Sequence, residues 1–307
     1  ERAQLDAVVL EVGLGGRLDA VNLVDADLAL VTSIGVDHIE YLGNTRESVG
    51  FEKAGIFRAG KPALCGDLNP PHTLLDKAAE LGCPLFLRGR DFDLASTDQV
   101  WHWRGQDARG QLIELRDIPL LDLPMENAAL AVQAYALTDL PWQPERIVAA
   151  LAGTRITGRL DRRQFSWKGK PLHILLDVGH NPHAAEYLAR RLAQRPVAGK
   201  RLAVFGLLAD KDLDGVVSQL TGSVAHWAVA PLDTPRTRPG AEVEAALQGF
   251  GAAVSAYASV EQALEAQCER ATTDDEILLF GSFYCVAEAL EWLERRATQE
   301  AANGFAG

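Results

Sequence analysis

Three short stretches near the start of the chain combine residue types that can hold a metal ion beside an anion. The first runs from Glu11 to Asp19, E-V-G-L-G-G-R-L-D, and places two carboxylates, a guanidinium and three glycines within nine residues. Glycine has no Cβ, so the backbone here can approach a ligand closely. Glu11 offers a hard oxygen donor and Arg17 a permanent cation. The stretch fails as a dinucleotide loop, because G-x-G-x-x-G spacing puts Leu18 where the third glycine belongs. The second stretch is Asp37-His38, where the imidazole reads either as a metal ligand or as a solvated loop residue. The third is E-K-A-G-I-F-R, Glu52 to Arg58, in which Lys53 alone reads as an ordinary solvated cation.

Further along, Asn127 lies in M-E-N-A-A-L-A, where its amide can read a base edge or cap a helix. Arg159 follows in T-G-R-L-D. The segment D-V-G-H-N-P, Asp177 to Pro182, supplies a carboxylate and an imidazole before an Asn-Pro helix start. L-A-D-K-D, Leu208 to Asp212, and G-S-F-Y-C-V, Gly281 to Val286, each stand where a strand turns into a helix. Free backbone N–H groups favour anions at such turns. Lys211 and Ser282, taken singly, read as a surface charge and a cap.

The elements that must position these residues follow from apolar patterning. Leu5 to Val12 and Leu28 to Ile34 are short, β-rich apolar runs and are expected to be buried parallel strands. A helix over 45–57, a strand at Lys61 to Cys65 and a helix over 73–81 come next. Val100 to Arg104 and Gln111 to Leu115 suggest a small antiparallel excursion, and helices near 125–138 and 144–152 close the first half. From Leu172 onward strands and helices alternate: LHILLDV, RLAVFG, VAHWAVA, AAVSAY and EILLFG, each followed by a helix. Repeated βα units imply a doubly wound sheet that binds ligands at its strands' carboxyl ends. The segment Gly153 to Asp161 is the expected hinge.

Composition narrows the class. With 307 residues and 48% hydrophobic content, the chain suffices for two globular domains. No apolar run approaches the roughly 20 residues of a membrane span, and no signal layout opens the chain. A net charge of -12 argues against broad nucleic-acid binding. The four cysteines form no C-x-x-C pair and read as reduced thiols of a cytoplasmic protein.

The first three stretches, in this order and at these distances, resemble the folylpolyglutamate synthase and dihydrofolate synthase family within the Mur ligase superfamily of ATP-dependent amide-forming enzymes. The resemblance covers nearly the whole chain. It implies an α/β fold, with a P-loop-type central domain over 1–153 and a C-terminal, Rossmann-like ligase domain over 154–307. It further implies that Glu11 and His38 ligate Mg²⁺ and that Lys53, carbamylated, becomes an oxygen-donor anion. Asn127 would contact adenine, Arg159 a phosphate of ATP, Asp177 the ribose and His180 the phosphates. Leu18 and Asp19 match the pterin-contacting loop, although Asp19 can also be read as a partner of Arg17. Lys211 and Ser282 would hold the carboxylates of L-glutamate. Thr157 replaces the family's usual proline before Gly158, and Gly179 replaces an alanine.

The activity implied is the joining of L-glutamate to dihydropteroate, and to reduced folates, through an acyl phosphate, by an enzyme expected to be monomeric. A Mur-type ligase of cell-wall precursors and a non-catalytic binding module are the alternatives. One departure stands out: G-x-x-x-x-G-K-[ST], whose amides and lysine cradle a triphosphate, is absent from the 307 residues. The sequence is therefore read as an N-terminally truncated piece of a longer enzyme. The 307-residue chain alone is expected to show little or no ligase activity, and glutamate-dependent ADP release by it at a robust rate would refute this.

Overall fold

The computed structural model describes residues 5–304 and divides into two compact units, Glu1–Thr154 and Arg155–Gly307. In the first unit, strand β1 (Ala29–Val31) leads through helices α1 (Ile39–Leu42) and α2 (Arg46–Ala54) to β2 (Ala63–Cys65). Helix α3 (His72–Glu80) and β3 (Leu85–Leu87) complete a parallel sheet of order β1-β2-β3. Helix α2 begins where it does because Thr45 and Ser48 form a reciprocal capping box. Strands β4 (Asp93–Ser96), β5 (Val100–Gln106) and β6 (Leu112–Pro119) form the antiparallel sheet, and α4 (Met125–Ala136) and α5 (Pro144–Gly153) follow. Helix α4 closes over β5, with the buried amide of Gln133 bonded to both the N–H and the C=O of Gln106.

The expected strand at Leu5 to Val12 is not present. Those residues have no regular structure, and Leu5, Val8, Val9 and Leu10 are exposed, Val9 by 96%. Strand composition alone is insufficient: a strand needs a neighbour for its N–H and C=O groups and a face to pack on. Neither is supplied to this segment by the described residues.

The second unit is one six-stranded sheet of order β11-β10-β9-β12-β8-β7. Its first strand, β7 (Asp161–Trp167), pairs antiparallel with β8 (Lys170–Asp177) through a two-residue turn in which Lys168 and Gly169 both have positive φ. The remaining strands are parallel. After β8 come α6 (Pro182–Gln194), β9 (Arg201–Phe205), α7 (Leu213–Ser218), β10 (His226–Val229) and α8 (Gly240–Gly249). Then follow β11 (Val254–Ala256), α9 (Val260–Arg270), β12 (Glu276–Phe280) and α10 (Phe283–Gly304).

Side-chain alternation divides the strands between two cores. Leu172, Ile174, Leu176, Leu202, Val204, Ile277 and Leu279 pack with α9 and α10, where Phe165, Trp167 and Trp292 cluster. Leu175, Ala203, Phe205, Trp227, Leu278 and Phe280 pack on the other face with α6, α7 and α8. Helices cover both faces, as the doubly wound reading expects. Strand β7 is the addition, an edge strand whose polar Arg162, Arg163 and Gln164 hide its two core residues from a hydropathy pattern.

Cys65, Cys268 and Cys285 are buried as free thiols, and desolvation pushes them up to about 11, about 12 and about 12 respectively. At the start of β9 the guanidinium of Arg201 pairs with Glu276 at 2.9 Å, both side chains less than a tenth exposed. Glu276 also faces Arg162 at 3.6 Å. Removing one partner of a buried pair strands the other charge, so Glu276→Ala is expected to destabilise the protein by about 3 kcal/mol in urea unfolding.

Candidate functional site

The first unit interlocks the stretches that the sequence separates. Asp19 accepts backbone N–H bonds from Gly13, Leu14 and Val21 at 2.9–3.0 Å, which folds the glycine loop onto its own carboxylate and starts a 3₁₀ turn at Ala20. These bonds, Leu14's foremost, hold the Asp19 carboxyl below its ordinary value. Arg17 does not pair with Asp19. It forms a forked ion pair with Glu52 on α2, while its backbone N–H donates to the Glu52 carbonyl at 2.8 Å. Arg58, at the other end of the E-K-A-G-I-F-R stretch, bonds both oxygens of Asn22, and the Asn22 amide donates to the carbonyl of Gly55.

The glycines serve this packing. A Cβ at Gly16 would stand 2.9 Å from the Glu52 carbonyl oxygen, and one at Gly15, where φ is +69°, would stand 2.9 Å from Leu42 of α1. The close approach is thus to α1 and α2.

Lys53 lies between these ties, half-buried on the last turn of α2. Desolvation lowers its ammonium below the ordinary lysine value, and no carboxylate among the described residues pairs with it. His38 precedes α1 in a left-handed conformation, exposed, with Asp37 3.9 Å from its ring nitrogen. Glu11 and Leu18 are exposed on the glycine loop. The loop, α1 and α2 are therefore packed together, whereas the side chains of Glu11, His38 and Lys53 share no hydrogen bond or ion pair. Among the described residues, no three His, Cys, Asp or Glu side chains are grouped so that they could hold a metal ion. Asn127 sits within the first turn of α4 and does not cap it. Pro124 holds the N-cap position, and the Asn127 side chain is exposed.

In the second unit the chemistry gathers beyond the strand ends. Asp177, the last residue of β8, is 9% exposed and accepts N–H bonds from Leu160 at 3.0 Å and Gly179 at 2.8 Å. Burial raises its pKa against the pull of those bonds and of Arg159. The Asp177 carboxylate is thus occupied in tying the T-G-R-L-D turn to the strand, aided by the Val178 N–H to the Gly158 carbonyl. Gly158 needs its positive φ of 72°, and a Cβ there would meet Val178 at 2.9 Å.

Arg159 emerges exposed from this turn with its guanidinium 5.5 Å over the Phe283 ring, whose other neighbour is His180 at 6.4 Å between centroids. His180 Nδ1 lies 2.9 Å from the Val178 carbonyl. A carbonyl only accepts, so Nδ1 carries a proton, which in a neutral ring leaves Nε2 as the acceptor nitrogen. Asn181 caps α6 through the N–H of Ala184, the Asn-Pro helix start expected from sequence. Ser282 is only 2% exposed and its hydroxyl accepts the N–H of Cys285, the capping role. Lys211 is partly buried, 3.5 Å from Asp210. The sequence marks the stretches that hold Glu52, Arg58 and Phe283 but neither their pairings nor Asn22, since partners some 35 or more residues apart leave no local signal.

The Mur ligase, glutamate ligase domain family matches residues 158–283. The dihydrofolate synthase/folylpolyglutamate synthase of Escherichia coli K12 is 43% identical over 296 residues, 96% of this chain and 67% of the relative. The chain belongs to the dihydrofolate synthase/folylpolyglutamate synthase family. Members of this family are ATP-dependent ligases, and the folate branch is favoured over the cell-wall one. The structure of E. coli FolC in complex with DHPP and ADP superposes with a TM-score of 0.82 at 40% identity, covering 93% of this chain and 66% of that one. A bifunctional folylpolyglutamate synthase/dihydrofolate synthase with Mn, AMPPNP and L-glutamate bound has the same TM-score at 39% identity, covering 95% of this chain and 68% of that one. The chain thus spans about two thirds of the length of these relatives.

The Asp19 carboxylate gives this site a pH dependence. Its folded pKa lies below the ordinary 3.8, so its stabilisation of the loop is present above that value and is lost as pH falls through the lower, folded one. Hydrogen exchange at neutral pH should show the Gly13 and Leu14 amides less protected in Asp19→Asn than in the wild type.

Proposed function

We propose that the enzyme containing this chain joins L-glutamate to dihydropteroate and extends reduced folates with further glutamate, at the expense of ATP. The carboxylate of the acceptor attacks the γ-phosphorus and ADP leaves, giving an acyl phosphate. The amino group of glutamate then attacks the acyl carbon, forming the amide as phosphate departs and the nitrogen gives up a proton. Activation is needed because a carboxylate oxygen is a poor leaving group. The protein's part is positioning and charge compensation.

The observation that carries this reading is Lys53. An amine must be neutral to react with CO₂, and burial beside the glycine loop lowers its pKa while no carboxylate among the described residues holds it charged. The resulting carbamate, with Glu11 and His38, is a donor set that suits a divalent cation with oxygen preference. Mg²⁺ bound there would draw in phosphate oxygens and offset their charge. The Mn and AMPPNP in the similar enzyme structure support the same chemistry.

In this reading residues 1–153 act as the ATPase domain and 154–307 as the glutamate-ligase domain. Asn127, with an exposed amide, serves adenine, and Arg159, held over Phe283, serves a phosphate. His180, its Nδ1 bound to the Val178 carbonyl, has Nε2 left to accept the proton released by the attacking amine when the ring is neutral. Asp177 supports ribose binding through the turn it fixes. Leu18, exposed beside the Asp19-folded loop, serves the pterin, and Lys211 and Ser282 serve glutamate. We further propose a monomeric enzyme acting in the cytoplasm. The free cysteines favour a reducing compartment, and no helix among the described residues is long and apolar enough to cross a membrane.

In the full-length polypeptide, Lys53→Ala is expected to lower dihydropteroate-dependent and glutamate-dependent ADP release by more than about 100-fold while leaving the unfolding midpoint unchanged. Removal of CO₂ and bicarbonate should slow the wild type, and their return should restore it. Full activity in Lys53→Ala would refute the carbamate role.

A further inference from the structure

Two segments that leave neighbouring strand ends are joined as a clamp. The Leu208–Asp212 loop follows β9, and the segment Leu232 to Arg238 follows β10. The Ala209 N–H donates to the Arg236 carbonyl at 2.9 Å, the Arg238 N–H donates to the Leu207 carbonyl at 3.0 Å, and Leu208 pairs antiparallel with Thr237. The Thr237 hydroxyl accepts the Leu232 N–H at 2.7 Å, closing the second segment on itself. The Asp233 N–H donates to Glu288, which anchors that segment to α10.

Arg238 fastens the clamp. Its Nη2 donates at 2.7 Å to the carbonyls of both Ala209 and Lys211, on either side of Asp210. Its Nη1 pairs with Glu242 in the first turn of α8. The Arg238 side chain is only 12% exposed. Burying a guanidinium is costly, and here the hydrogen bonds that offset the cost converge on the loop that carries Lys211. The loop's own cap, Asp212 to the Gly215 N–H, fixes only its far end.

We propose that Arg238 is a positioning residue for the amino-acid substrate. It fixes the carbonyls of Ala209 and Lys211 and so sets the direction in which the Lys211 ammonium meets a carboxylate of glutamate. This rests on the reading of Lys211 as a carboxylate-binding residue. A lysine is a point charge on a flexible stem, so its selectivity depends on how firmly the backbone beneath it is held.

The test is steady-state kinetics on the full-length enzyme carrying Arg238→Gln, Arg238→Lys, Glu242→Gln or Lys211→Ala, with thermal unfolding of each. Arg238→Gln should raise the KM for glutamate about tenfold, while kcat and the KM values for ATP and pterin stay within about twofold. Arg238→Lys should recover part of the loss, since an ammonium can reach one of the two carbonyls. Glu242→Gln should give a smaller rise of the same kind. If Lys211→Ala raises the glutamate KM and Arg238→Gln leaves it at the wild-type value, the positioning role is overturned and the reading of Lys211 stands. If Lys211→Ala leaves it unchanged, both are overturned. An equal loss for all three substrates in Arg238→Gln would mark general destabilisation and also overturn the role. Should Arg238→Gln fail to fold, Arg238→Lys and Glu242→Gln decide by the same split, and a wild-type glutamate KM in both overturns the proposal.

Discussion

A parallel strand covered by helices on both faces has no side on which to present a polar group to substrate. In the second unit β8, β9, β10 and β12 are bounded by two apolar cores, and most side chains along them are committed to one or the other. Chemistry is therefore displaced to where the strands stop. Asp177 and His180 follow β8, Lys211 follows β9, Arg236 and Arg238 follow β10, and Ser282 and Phe283 follow β12. Because the four strands run in one direction, their ends share one edge of the sheet, and residues more than 120 positions apart become neighbours. The contact of Arg159 with Phe283 is a direct result.

The first unit solves the positioning problem with charge. Its glycine loop has little side-chain bulk to pack, so it is held by the fork of Arg17 on Glu52, by Arg58 on Asn22 and by the three N–H bonds to Asp19. The conspicuous glycines permit the backbone to lie against α1 and α2. Lys53 remains on the last turn of α2 beside the paired Glu52, half-buried and with no carboxylate partner among the described residues.

Much of this could be read before any fold was known. The alternating strands from Leu172 onward are legible because burial keeps them rich in apolar residues, and the helix after β8 because its start carries Asn181-Pro182. Strand β7 was not legible: its arginines sit at an edge, where solvent tolerates them. The Leu5 to Val12 run misled for the converse reason, since its β-branched composition describes a preference that only a neighbouring strand can satisfy. Among the site residues, types and order were readable and roles less so. Ser282 reads as a cap in sequence and is one, whereas the two backbone N–H groups that the Asp177 carboxylate accepts, from Leu160 and Gly179, are announced by no local pattern.

The sulfur chemistry of the chain follows from the same enclosure. With Cys65, Cys268 and Cys285 sealed among apolar side chains and their thiols held protonated far above neutral pH, maleimides and mild oxidants encounter no thiolate at these three positions. A cysteine placed by design on the exposed Val9, Leu18 or Phe283 would therefore need to be distinguished only from Cys83, and spectroscopic labels could be attached without rebuilding either core.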